Sequence, residues 1–381
     1  RDILIDRRTR DIDIVVEKDG IRFARELVER IGGKVSEHEK FRTAVVTLPD
    51  DDTVDVATAR SEYYSHPAAL PDVEIEHTSV MQDLRRRDFT INAMAVQLNP
   101  GSFGELLDLF GGRRDLQKQL VRVLYATSFH DDPTRMLRAI RFAVRFDFSV
   151  EQRTRFQMKQ ALQGKPFEPV SGDRLREELD LVFRENNPWE VVRKLCEFDI
   201  LSFLPEFTCG DSMRTWFKNL RQNLQDFSID QPENVYYLCL FEPMSEDSAL
   251  IASRRLNFAR TQLERMKRSK QFGSVEHSLS DAESPSEVVR LLEDYDDLPL
   301  LVARLSMAKG TVRKRIKDYL ENYRHKQPLV SGEDLKKWGV ETGPIMGEIL
   351  QRLFWFQLDE QPQGKAEIRD YFEQTIKPEL L

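Results

Sequence analysis

The chain has 381 residues, 40% hydrophobic and 32% charged, with a formal net charge of −8. That length exceeds what one hydrophobic core usually supports, so two or more domains are expected. The acidic balance excludes a uniformly basic nucleic-acid coat but leaves room for local phosphate-binding patches. No apolar run is long enough for a transmembrane span. The three cysteines form no CxxC pair and the six histidines no zinc-ligand spacing, so no structural metal is expected. The chain opens at Arg1 without a basic n-region or an apolar h-region. No signal peptide is read there, the start is expected to be a cut, and the expected location is cytoplasmic.

The first element lies in R-D-I-D-I-V-V, residues 10–16. Its β-branched residues predict a strand over Asp11–Val16, from which Asp11 and Asp13 project on one face. Like charges side by side repel, which asks for a cation between them. A helical period follows in I-R-F-A-R-E-L-V-E-R-I, closed by Gly32–Gly33. Further strands are predicted at Thr43–Leu48 and Thr53–Ala57. The latter carries Asp55 between valines, so if it neighbours the first strand, three carboxylates converge. Hard divalent cations suit such a cluster, Mg²⁺ above all. Two ions about 4 Å apart can activate an attacking hydroxyl and stabilise a leaving pyrophosphate.

In L-R-R-R-D-F-T-I-N-A-M-A, residues 84–95, three arginines and an acid precede an apolar stretch containing Asn92. Guanidinium groups suit triphosphate oxygens as bidentate donors. In F-H-D-D-P-T-R-M-L-R-A-I-R-F-A-V-R-F, residues 129–146, Asp132 fits an N-cap and Pro133 the first helical position. At about 100° per residue, Arg135, Arg138, Arg141 and Arg145 share one face. Met136, Leu137, Ile140 and Val144 share the other, which is expected to bury. No acid follows along this helix to pair the arginines, so their face invites an anionic ligand. From Asp131 onward strand signals nearly vanish. A boundary is therefore expected near residue 125, between an α/β part and an all-α remainder. The remainder is expected to subdivide at the polar connector Asp281–Glu287, which contains Pro285.

Taken in order, D-I-D (11–13), V-D-V-A-T-A-R-S-E (54–62), R-R-D-F-T-I-N-A-M-A (86–95), L-L-D-L-F-G-G-R-R-D-L (106–116) and D-D-P-T-R-M-L-R-A-I-R-F-A (131–143) resemble the class II tRNA nucleotidyltransferases. Bacterial poly(A) polymerases share that scheme. The resemblance is continuous over residues 1–200 and weaker beyond, although 329–350 resembles the tail of the CCA-adding branch. It implies an α+β fold: a polymerase β-like nucleotidyltransferase head (1–125), a helical neck (126–190), a helical body (191–285) and a tRNA-binding tail (286–381).

The resemblance also implies roles. Asp11 and Asp13 would hold Mg²⁺, and Asp55 would act as general base on the primer 3′-hydroxyl. Arg1 matches the arginine that follows the family's Gly-Gly phosphate loop. Arg87 would contact triphosphate and ribose, supported by Asp88 and Asn92. Asp132 and Arg135 would read the incoming base, with Arg138 and Arg141 extending the site. A carboxylate accepting from an exocyclic amine, beside a guanidinium donating to a ring nitrogen or carbonyl, favours C and A over G and U.

Two departures stand out. No Gly-Gly precedes Arg1, which is attributed to truncation, and Asp131 stands where the family usually has Glu. The implied activity is addition of the 3′-terminal CCA to tRNA from CTP and ATP. The A-adding half of a split system is the alternative. The long segment 61–85 disfavours a CC-adding enzyme, and the S-G-E-D-L tail disfavours a poly(A) polymerase. A non-catalytic RNA-binding scaffold is the reading from another class. The basic stretch 308–326 is a candidate contact for tRNA phosphates, with a solvated helix face as the plain alternative.

Overall fold

A computed structural model describes residues 1–7, 12–69, 71–75, 78–223, 233–306 and 310–380. The chain divides into two units, Arg1–Leu204 and Pro205–Leu381.

The first unit begins with a mixed sheet. Strands β1 (Ile12–Val16), β2 (Lys34–His38), β3 (Thr43–Thr47) and β4 (Thr53–Thr58) lie in the order β1-β4-β3-β2. β1 and β4 run parallel, while the other two pairings are antiparallel. Helix α1 (Gly20–Ile31) is capped by the Asp19 carboxylate, which accepts from the Arg22 N–H, and it ends at Gly32 with φ 78°. Its Ile21 and Ala24 pack on Ala44, Val46, Val54 and Val56, with Ile14 and Val16 alongside. Alternation therefore sends Asp13 and Asp55 to the face opposite α1, where both are exposed.

The α1, β3 and β4 expectations correspond to these elements within a residue or two. The strand β2 was not among them. Lys34–His38 is an edge strand whose alternate residues are exposed, so it lacks a continuous β-branched run.

Beyond the sheet come short elements. β5 (Ser61–Tyr63) and β6 (Asp72–Glu74) form a hairpin, and helix α2 (Val80–Arg85) starts at a Ser79–Gln82 capping box. Then follow β7 (Ala95–Val96) paired with β8 (Leu106–Leu107), helix α3 (Gly112–Gln117), and β9 (Leu120–Val121) paired with β10 (Ser149–Val150). Helices α4 (Ser128–Asp131), α5 (Thr134–Phe146), α6 (Gln152–Gln163), α7 (Gly172–Phe183) and α8 (Pro188–Glu197) complete the unit. α5 packs on both α7 and α8.

α5 departs from the two-faced expectation. Met136, Leu137 and Ile140 are buried and Val144 is half-buried, but Arg135 and Arg141 are buried as well. The helix starts one residue later than expected. Pro133 takes the cap position instead of Asp132 and no side chain caps it, while Asp132, one residue earlier, accepts from the Thr134 N–H (3.0 Å) and hydroxyl (2.7 Å).

The second unit is helical throughout its described residues. One cluster joins Phe272, Leu279, Val288, Val289, Leu300, Ile316 and Leu358; another joins Val330, Leu335, Ile349, Leu353 and Phe372. The 281–287 connector is a helix start, with Ser284 accepting from the Glu287 N–H, and residues on both sides of it share the first cluster. Among the described residues, no helix is long and apolar enough to cross a membrane.

Candidate active site

In the parallel ladder, Asp13 is the register partner of Asp55. Paired residues on adjacent strands project to the same side, so the two carboxylates stand next to each other on the open face of the sheet. Asp11 lies outside the described residues.

The R-R-R-D motif splits by direction. Asp83, only 2% exposed, accepts from Arg86 Nη2 (2.8 Å) and Arg87 Nη2 (3.2 Å). Arg86 also reaches Glu62 Oε1 (2.7 Å) and the Arg60 carbonyl (3.1 Å). Arg87 is less committed: its Nε is buried without a partner among the described residues. Asp88 is buried and accepts from Asn92 Nδ2 (2.9 Å), Arg138 Nε (2.9 Å) and Arg138 Nη2 (2.7 Å). Burial opposes ionisation of Asp88, yet the Arg138 charge and these hydrogen bonds outweigh it and hold its carboxyl below the usual range. Asn92 Oδ1 in turn accepts from Arg1 Nη1 (2.6 Å), and the Arg1 guanidinium lies 4.6 Å from the Phe146 ring centroid. Arg1, Asn92, Asp88 and Arg138 thus form one connected chain of polar contacts.

The arginine face of α5 is a correction. The acids missing from its own helix arrive from α7 and just beyond it. Glu178 accepts from Arg138 Nη1 (3.3 Å) and Arg141 Nη2 (3.4 Å), and Glu185 from Arg145 Nε (2.9 Å). Arg138 and Arg141 are therefore held by carboxylates of the protein, a pairing that a reading along one helix cannot see. Burial pushes the Glu178 carboxyl up despite the two arginines.

Arg135 differs. Its guanidinium donates to Tyr125 Oη (2.9 Å), Ser128 Oγ (2.8 Å), Tyr64 Oη (3.3 Å) and the Arg86 carbonyl (3.0 Å), all uncharged oxygens. Burial raises both tyrosines, Tyr64 to about 12, so they stay neutral hydroxyls. Asp132 Oδ1 accepts from Arg174 Nη2 (2.8 Å), whose Nη1 donates to the Ala68 carbonyl (2.9 Å). Asp132 and Arg135 are thus both fixed at the start of α5. Arg174, Glu178, Tyr64 and Tyr125 were missed at the sequence level. The i, i+4 pair Arg174–Glu178 was the visible signal, but its partner helix was not.

Two family models match this chain: the poly A polymerase head domain over residues 1–122 and the probable RNA and SrmB-binding site of polymerase A over 147–210. The A-adding tRNA nucleotidyltransferase of Geobacter sulfurreducens is 34% identical across 97% of this chain. The chain belongs to the class II tRNA nucleotidyltransferases. It spans 43% of the length of that Geobacter relative. The A-adding tRNA nucleotidyltransferase of Halalkalibacterium halodurans is 33% identical over 89% of this chain and 78% of its own. The Thermotoga maritima CCA-adding enzyme complexed with tRNA_CCA superposes with a TM-score of 0.76 at 32% identity, covering 98% of this chain and 89% of that one.

Membership of the class II tRNA nucleotidyltransferases implies use of a divalent metal ion. The residues present fit one: the exposed Asp13 carboxylate is a hard oxygen ligand, and its repulsion with Asp55 beside it is relieved by a cation.

Proposed function

We propose that this class II tRNA nucleotidyltransferase adds nucleotides of the 3′-terminal CCA to tRNA without a nucleic-acid template, using CTP and ATP, in the cytoplasm. The observation that carries the reading is the Asp13–Asp55 register pair on the open sheet face. In this reading residues 1–125 are the catalytic head, 126–190 the neck that reads the base, 191–285 the body and 286–381 the tail that holds tRNA.

The RNA 3′-oxygen attacks the α-phosphorus of the nucleoside triphosphate, the bond to the pyrophosphate oxygen breaks, and the proton passes to the Asp55 carboxylate. Asp13, with Asp11, would hold Mg²⁺, which when bound supplies positive charge against the triphosphate and lowers the pKa of the attacking hydroxyl. Arg87, which Asp83 holds through one nitrogen while its side chain stays 31% exposed, is suited to the triphosphate, and Arg1, which Asp2 orients, to a flanking phosphate. Asp88 and Asn92 orient that wall. Arg138 and Arg141 act as supports, since carboxylates already hold them. Asp132 and Arg135 present a fixed acceptor and a fixed donor edge to the base. Because the partners of Arg135 are neutral, a base edge competes with hydroxyls and a carbonyl rather than with a carboxylate.

The test is an extension assay with CTP and ATP supplied separately to tRNAs ending at the discriminator base, at C and at CC. Incorporation of both nucleotides supports CCA addition. Incorporation of ATP onto CC ends alone would assign A addition, the second reading, which the A-adding relatives favour. Long poly(A) products would overturn both. Asp55→Asn should lower kcat by roughly 10²–10⁴-fold, the range for a lost general base. Its exposure predicts an unchanged unfolding midpoint. Removing divalent ions with a chelator should stop incorporation, and adding Mg²⁺ should restore it.

A further inference from the structure

Arg85 has no role in the reading above. Arg86 and Arg87 fold back onto Asp83, whereas Arg85 turns to the other side of α2 and is exposed, with no carboxylate partner among the described residues. There it lines a cavity of about 500 Å³ with Met81, Gln82, Leu109, Phe110 and Tyr125. That volume falls within the ~300–1,000 Å³ range of small-molecule sites.

Three features of the cavity match one nucleotide. Its wall is apolar and aromatic, with Met81 57% and Leu109 44% exposed among the described residues. Gln82 spends its Oε1 on the Ser79 cap, which leaves its Nε2 donors without a partner among the described residues. Arg85 supplies one cation. An aromatic surface accepts any base face, an amide N–H₂ donates to a base carbonyl or ring nitrogen, and a guanidinium meets a phosphate.

Tyr125 joins this cavity to the base-reading residues. It lines the cavity while its hydroxyl accepts from Arg135 Nη1 at 2.9 Å. A ligand here therefore lies next to the incoming nucleotide's reader without occupying it. One arginine suits one phosphodiester; a triphosphate would leave most of its charge unmet. We propose that this cavity is a subsite for one unpaired nucleotide of the RNA being extended, its base against Phe110 and Tyr125 and its phosphate on Arg85. The proposal rests on the RNA-extending reading given above.

The experiment measures extension of a tRNA ending in CC with ATP, using the full chain. Arg85→Gln should raise KM for the RNA roughly five-fold or more and reduce the log–log salt slope of RNA binding by about 0.7, while KM for ATP stays within about two-fold. Phe110→Leu keeps the apolar volume but removes the aromatic face, and it should show the same split. Unfolding midpoints equal to wild type exclude a folding defect, and Arg85 is exposed enough to expect that. An unchanged RNA KM in both variants overturns the subsite, as does a KM for ATP that rises as much as that for RNA. If the wild-type chain extends no RNA, the functional reading falls and the subsite with it. If it extends RNA and neither variant matters, the subsite alone falls.

Discussion

Asp88 is a carboxylate whose value depends on its neighbours. It is buried, and without Arg138 its charge would be costly to keep there. Its folded-state pKa lies below the ordinary 3.8. Ionised Asp88 therefore contributes stability above that ordinary value, and the contribution disappears as pH falls through the folded one. Asp88→Asn should cost about 1.5–3 kcal/mol at neutral pH, the range for charged hydrogen bonds. That gap from wild type should close on acidification below about pH 4. Urea unfolding across pH checks it, and a gap constant with pH would remove the assignment. Glu178, raised by burial, runs the other way: its contribution is lost as pH rises through the folded value. Arg174 belongs to the same scale. It ties Asp132 to the Ala68 carbonyl, so Arg174→Ala should loosen Asp132, the acceptor proposed to read the base. The expected loss in kcat/KM for ATP is roughly ten- to hundred-fold, the scale of a small misplacement near the reacting groups. Arg174→Lys should recover little, because Lys cannot span both oxygens with a planar fork.

At the level of elements, the α3 start explains why D-L-F-G-G-R-R-D-L belongs beside the nucleotide motif. Asp108 accepts from the N–H groups of Gly112 (2.7 Å) and Arg113 (3.0 Å), closing the turn into the helix. Asp115, fully buried, accepts from Thr90 Oγ1 (2.8 Å) and Arg122 Nε (2.9 Å) and so pins the turn that carries Asn92. A Cβ at Gly112 would stand 2.3 Å from the Thr90 carbonyl oxygen and 2.8 Å from Met94 Sδ. Gly112→Ala should destabilise the first unit by about 3 kcal/mol, typical of forced overpacking. A shift in thermal midpoint reads that loss. Much of this layer was visible early. β3, β4 and α1 follow from local period and from the glycines after Ile31. The polar edge strand β2 was not visible, because pairing at an edge leaves no apolar signature.

The molecule as a whole has two units with separate cores, so equilibrium unfolding need not be two-state. The proposed nucleotide contacts all belong to Arg1–Leu204. ATP with Mg²⁺ should therefore protect that unit selectively, by about 2.7 kcal/mol at a hundred times Kd. Hydrogen exchange read separately over 1–204 and 205–381 would detect it. Equal protection of both units would contradict a nucleotide site confined to the first. The net charge of −8 makes the same point about RNA. Overall charge repels a polyanion, so the proposed RNA binding would rely on local cations, Arg85 being one proposed contact, and should weaken with salt.

By itself, the sequence determined the strand spacing that carries Asp13 and Asp55, the helix that begins within two residues of Asp132 and the ordered motifs that identify the family. Those features are local: a two-residue period, a cap and short-range spacing are written in consecutive residues. Only the tertiary structure decided that Asp13 and Asp55 are register partners. It also decided that Arg138 and Arg141 are met by Glu178 while Arg87 folds back onto Asp83, and that Arg85 faces a separate cavity. Pairing between residues 40 or 50 positions apart depends on how strands and helices come together. A chain read one helix at a time carries the charges but not the partners.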